Sequence, residues 1–79
     1  MKVEVFGVLR EAVGGETVEV AAAPPVTIER VLARLAAESP AVAPHLPRVA
    51  CAVGDEMRAR GDQLAPGETL VLLPPVSGG

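Results

Sequence analysis

An α+β domain, with one main helix on one face of a mixed sheet, is the fold class this sequence predicts, and four runs of residues predict it. Positions 2–9 (KVEVFGVL) alternate with the two-residue period of a strand. Ile28, Val31, Leu32, Leu35 and Ala36 then follow the i, i+3, i+4, i+7, i+8 spacing of an amphipathic helix. Alternation returns in VACAV at 49–53 and in TLVLL at 69–73. A chain of 79 residues holds one domain. Folding at this size hides roughly 60% of the extended surface, so the core is thin and rests on packing. Cys51 is the one cysteine, which excludes an internal disulfide, and with the one histidine it cannot complete a structural zinc set.

Each element has its own justification. The first strand, residues 2–9, sets Val3, Val5 and Gly7 on one side and Lys2, Glu4, Phe6 and Val8 on the other. Gly14 and Gly15 let the chain reverse, and Val18 and Val20 turn inward on a second, antiparallel strand. Pro24 and Pro25 stop that ladder. Thr27 is the expected N-cap of the helix, Glu29 suits the positive end of its dipole, and Ser39-Pro40 ends it around Glu38. Three prolines in residues 40–48 exclude a regular helix longer than a turn. In the next strand Val49, Cys51 and Val53 alternate against Ala50 and Ala52, and Gly54-Asp55 makes a tight turn. A short edge piece around Met57 and Arg58 follows, then turns at Gly61-Asp62 and Pro66-Gly67 flank Leu64. TLVLL is the final strand, ended by Pro74 and Pro75, so that residues 1–73 form the domain and residues 74–79 an extended tail.

Composition removes several functions. Net charge is −3 and the isoelectric point about 5.0, so nucleic acid is repelled unless Arg48, Arg58 and Arg60 make a local patch. Phe6 is the one aromatic residue, too few for base stacking. No apolar run reaches the 18 or more residues of a membrane span, and MKVEVF lacks the features of a signal peptide, so the expected location is cytoplasmic. Neither a Ser/His/Asp set nor a glycine-rich phosphate loop is visible, which points to a carrier or binding module rather than a self-sufficient enzyme. His45 reads as a solvated loop residue and Cys51 as core.

The end of the chain carries the chemistry. Glu68 is the last charged side chain, so Thr69 to Gly79 present nothing ionised but the terminal carboxylate. Pro74 and Pro75 favour an extended path, and six residues from Pro74 can project at most about 20 Å. Gly78 and Gly79 have no side chains, so this end can thread a narrow channel and set its last carbon beside another protein's catalytic groups. A carboxylate resists nucleophilic attack until it is activated. Joined to AMP it becomes a mixed anhydride, and sulfur displacing the AMP leaves a C-terminal thiocarboxylate.

The element order and size resemble the ubiquitin-like β-grasp fold, with the first and last strands parallel in the sheet centre. The whole chain is similar to the small, sulfur-carrying subunit of molybdopterin synthase: KVEVFGVLREAVG at the start, CAV before a turn, Leu64-Ala65-Pro66-Gly67-Glu68 before the last strand, and LVLLPPVSGG at the end. The resemblance implies that Gly79 is adenylated by a ubiquitin-activating-like adenylyltransferase that uses ATP, and that a sulfur donor system converts it to the thiocarboxylate. It further implies that Pro74, Pro75, Val76, Ser77 and Gly78 insert into the large subunit, where sulfur passes to cyclic pyranopterin monophosphate and builds the molybdopterin dithiolene. On this reading the chain binds no cofactor or metal and is active only with that large subunit. Two departures are plain: Leu72 and Leu73 stand where aromatics are common, and Gly54 where asparagine often is.

The resemblance also makes Phe6, Met57 and Leu73 a hydrophobic docking patch. From the residues alone Phe6 has two readings, an interface anchor or a cover for the end of the sheet. Arg10, Arg58 and Arg60 are either solvated or set against acidic partner surfaces. Two further functions stay open: a related carrier serving thiamine formation, tRNA thiolation or cysteine synthesis, and a ubiquitin-like modifier joined to lysines through Gly79.

Overall fold

The computed structural model describes residues 1–75. Its elements are β1 (Lys2–Val5), α1 (Val8–Val13), β2 (Thr17–Glu19), β3 (Val26–Thr27), α2 (Ile28–Glu38), a 3₁₀ helix (Ala43–Arg48), β4 (Ala50–Val53), β5 (Glu56–Arg58), β6 (Gln63–Leu64) and β7 (Leu70–Leu73). Five strands form one sheet in the order β2-β1-β7-β4-β5, and β3 pairs with β6 separately. The first and last strands run parallel at its centre, with Val3 beside Leu70, Glu4 beside Val71 and Val5 beside Leu72. The other pairings are antiparallel. This is the α+β ubiquitin-like β-grasp architecture that the element order predicts.

Burial follows the two-residue period in β1 and β7, whereas β4 buries both Cys51 and Ala52. Val3 and Val5 of β1, Leu70 and Leu72 of β7 and Cys51 of β4 turn to one face, where they meet Ile28, Val31, Leu32 and Leu35 of α2 and Leu9, Val42, Leu46 and Leu64. No polar or charged residue is buried among the described residues. The opposite, outer face carries Lys2, Glu4, Val71 and Leu73.

α2 begins and ends where its caps require. The Thr27 hydroxyl accepts from the Arg30 N–H at 3.3 Å, and two more of the orphan N–H groups, on Ile28 and Glu29, donate to the carbonyls of Asp62 (3.0 Å) and Arg60 (2.8 Å). Because the 60–62 turn shares the capping, Thr27→Ala is expected to lower unfolding free energy by only about 1 kcal/mol. A urea titration with an unchanged m-value checks this.

Four expectations need correction. The first strand stops at Val5 rather than running to Leu9, because Gly7 takes φ 58 and leaves strand geometry. Residues Val8–Val13 are helical: Leu9 is buried, Ala12 and Val13 pack beside it, and Gly14 ends the turn in the left-handed region at φ 80 with its N–H on the Arg10 carbonyl. β1 and β2 do pair antiparallel, but α1 joins them instead of a glycine turn. The prolines of residues 40–48 admit six residues of 3₁₀ helix, with Pro44 in the first turn, where a missing N–H removes no helical bond, and Pro47 inside. Leu64 belongs to a two-residue strand paired with Val26, forming a second sheet the patterning does not reveal.

Candidate functional site: the tail base and the open sheet face

β7 is the inner strand that delivers the tail. Its neighbours β1 and β4 hold it on both sides, and the chain leaves the sheet at Leu73, Pro74 and Pro75. Val76, Ser77, Gly78 and Gly79, which carry the proposed chemistry, lie outside the described residues. At the exit Gly7 comes so near Pro74 that a Cβ built on it would stand 2.8 Å from Pro74 Cγ.

The outer face is read from the register, since residues side by side on neighbouring strands point the same way. Thr17, Glu4, Val71, Ala52 and Met57 make one row across five strands, and Leu73 lies beside Ala50 in the next. One step past Val5, alternation sets Phe6 near the Leu73 end of the same face. The helical residues of the core cluster gather with the inner-face side chains, so the Val71, Leu73, Ala50 and Met57 strip has no helix of its own over it among the described residues. Met57 is the most exposed large apolar residue there, at 60%, while Phe6 and Leu73 are half-buried. Met57 sits two strands and one row from Leu73, about 12 Å away by strand spacing and rise.

Phe6 is supported by its own chain. The Arg10 guanidinium lies 4.7 Å from the ring centroid, its Nε donates to the Val5 carbonyl at 2.9 Å, and its Nη2 stands 3.5 Å from a Glu16 carboxylate oxygen. Leu72 and Leu73, adjacent in sequence, have different places: Leu72 is fully buried in the core, so of the two only Leu73 can meet a partner.

Arg58 and Arg60 serve the fold, a role the sequence does not disclose. Arg58 bridges Glu56 (2.7 Å) and Glu68 (3.3 Å), tying the edge strand to the turn before β7. Arg60 Nη2 donates to the carbonyls of Leu46 (2.7 Å) and Val49 (3.0 Å), satisfying the end of the 3₁₀ helix from 11 to 14 residues away. Neither is free to form a basic patch for nucleic acid. Burial raises the Cys51 thiol pKa and so favours the protonated form, an effect partly opposed by the positive charge of Arg60.

Concave surface does not compete with the tail. A groove of about 730 Å³ is lined by Ala21–Ala23, Ala33, Ala37, Arg30 and Arg34 among others, and includes none of the tail-base residues. No group of three His, Cys, Asp or Glu residues is placed to hold a metal, and no helix is long and apolar enough to cross a membrane, both among the described residues.

Comparison with known proteins agrees with this architecture. No curated protein matches the chain. Among solved structures, SAMP1 of Haloferax volcanii is 29% identical, with TM-score 0.82 over 100% of this chain and 98% of that one. Subunit 1 or 2 of the Helicobacter pylori molybdopterin-converting factor, solved as a complex of both, is 25% identical at TM-score 0.66 over 99% and 96%. A chain of the Amycolatopsis orientalis BexX/CysO complex, 23% identical at TM-score 0.76 over 99% and 98%, shows the same fold. The family description "ThiS family" matches residues 3–79, nearly the whole sequence, and the chain therefore belongs to the ThiS family of ubiquitin-like sulfur carriers.

Proposed function

We propose that this chain is the sulfur-carrying small subunit of molybdopterin synthase, with the carboxylate of Gly79 as its reacting group. The observation that carries the reading is the placement of the tail: a central strand ends in Leu-Leu-Pro-Pro beside an uncovered apolar strip and continues as Val-Ser-Gly-Gly without an ionisable side chain. Activation consumes ATP on the adenylyltransferase, releasing pyrophosphate and leaving the Gly79 carbonyl joined to AMP. A sulfur nucleophile then displaces AMP. The resulting thiocarboxylate is delivered into the large subunit, its sulfur bonds to a carbon of cyclic pyranopterin monophosphate as a carbon–oxygen bond at that carbon breaks and the oxygen leaves, and water splits the remaining acyl–sulfur bond to restore the carboxylate. The domain's part is to dock and to hold the tail out, and the partner subunits of the Helicobacter and Amycolatopsis complexes support such docking.

Thiocarboxylated protein mixed with purified large subunit and cyclic pyranopterin monophosphate is expected to give molybdopterin, and absence of product removes this reading. Docking is tested separately. Phe6→Ala, Met57→Ala and Leu73→Ala are each expected to weaken binding to the large subunit by about 1 kcal/mol or more, roughly fivefold in Kd. Isothermal titration reads the change, and unaltered Kd values would exclude the patch.

A second reading, a modifier joined to lysines through Gly79, is favoured by the likeness to SAMP1, named a small archaeal modifier protein. Lys2 is the only lysine in the sequence, so Lys2→Arg removes self-conjugation through a lysine without touching the tail. Lysine adducts on other proteins in cells would support the modifier role, and both roles can reside in one tail.

A further inference from the structure

We propose that Gly7 is a positioning residue that aims the tail, by offering Pro74 a seat that no side chain can share. This rests on the reading of Gly79 as the reacting end, and it assigns part of the reaction's geometry to a residue some seventy positions earlier in the chain.

Two independent features single Gly7 out. Its backbone takes φ 58 and ψ −135, a left-handed combination open to glycine and strained for any L side chain. Separately, an added Cβ would lie 2.8 Å from Pro74 Cγ, inside any tolerable contact, so the proline ring occupies the space that a side chain at position 7 would need. Of the described glycines with positive φ, Gly14, Gly54 and Gly67 have open space where a Cβ would go, and Gly7 alone has a neighbour there.

The seat is held from both flanks by Arg10. Its backbone N–H donates to the Gly7 carbonyl at 3.0 Å, its side-chain Nε donates to the Val5 carbonyl at 2.9 Å, and its guanidinium lies on the Phe6 ring. Residues 5, 6 and 7 are thus fixed to the first turn of α1, and the surface that Pro74 meets is stiff.

What Pro74 does there is passed outward. Its ring locks φ, and Pro75 after it confines Pro74 to extended ψ values, so few soft torsions separate the seat from the start of the tail. Six residues from Pro74 can project at most about 20 Å, and a change of about 10° in the direction in which Pro74 leaves its seat displaces a point at that reach by about 3.5 Å. Displacement on that scale is enough to take a carbonyl carbon out of attack distance of a catalytic group.

The test is a double-mutant cycle of Gly7→Ala, Pro74→Ala and both together. Gly7→Ala is expected to slow sulfur loading and transfer at least tenfold, mainly in kcat, with a lowered Tm. In the double variant the proline Cγ is gone but the backbone strain stays. Rates should return to within about threefold of Pro74→Ala alone while Tm remains below wild type, a split that a purely structural role for Gly7 does not give. Wild-type rates in Gly7→Ala, or a double variant as slow as Gly7→Ala, would overturn the proposal. Should Gly7→Ala not fold, Pro74→Leu presses on the same seat from the tail side and is expected to be slower than Pro74→Ala; equal rates would overturn the proposal.

Residual dipolar couplings of the Val76 and Ser77 amides give a readout free of sulfur chemistry. They are expected to shift in Gly7→Ala and to return in the double variant, and unchanged couplings overturn the proposal whatever the wild type does. A wild-type protein that takes up no sulfur, with couplings that respond as expected, would instead remove the carrier reading and leave the aiming role standing.

Discussion

Deleting Gly79, or adding one residue after it, is expected to reduce sulfur transfer by more than about 100-fold while leaving the thermal unfolding of the domain unchanged. Either change moves the reacting carbon by one residue, about 3.3 to 3.6 Å, and misplacement by even 1 Å can lower a rate 100-fold. Nothing in the folded core should respond, since among the described residues the buried cluster draws on none after Leu72. Single-turnover transfer assays beside differential scanning calorimetry separate the two quantities. Wild-type transfer by either variant would contradict a mechanism that acts at the Gly79 carbonyl.

The second large effect lies one step back along the same strand. Leu72→Ala is expected to destabilise the domain by about 3 kcal/mol, because Leu72 is fully buried beside Val5 and Cys51 and its loss leaves a cavity in the central strand. A domain of this length has a total stability of about 4 to 12 kcal/mol, so the change removes a large share of it. Leu73→Ala, on the outer face, is expected to change stability by less than about 1 kcal/mol and to act on partner binding instead. Guanidinium unfolding of the two variants, with titration against the large subunit, shows whether adjacent leucines divide the work in this way. A Leu72→Ala protein as stable as the wild type would mean that the strand's facing has been misassigned.

That division was readable in the alternation of TLVLL, since Leu70 and Leu72 share a parity that Val71 and Leu73 do not. α2 was readable for a similar reason: its apolar stripe runs for nine residues between a threonine cap and a Ser-Pro stop, long enough for the 3.6 period to show. α1 was not, because six residues give one repeat, and Val8 continued the alternation of β1 past the glycine where the strand ends. Its own marks were present in Leu9, Ala12 and Val13 at helical spacing, closed by Gly14. β3 and β6, two residues each, are held by pairing across 36 and 38 positions and leave no local pattern.

The candidate site divides along the same line between local and distant causes. A tail without ionisable side chains, ending in Gly-Gly behind Pro-Pro, is a property of consecutive residues and is visible as such. The work of Arg10, Arg58 and Arg60 is not, because each is occupied by carbonyls, carboxylates or a ring that only the fold brings near. For that reason three arginines that the sequence leaves as either solvated or set against partners are found to brace the exit of the tail, the edge strand and the 3₁₀ helix.

The most direct test of the carrier role is the intact mass of the 79-residue protein after incubation with ATP, its activating enzyme and a sulfur donor, followed by fragmentation. The account predicts a species heavier by the difference between one sulfur and one oxygen atom, with the change confined to the fragment that ends in Gly79. Unchanged mass under conditions in which the enzyme turns over ATP with this protein, or sulfur found at Cys51 instead, would contradict it.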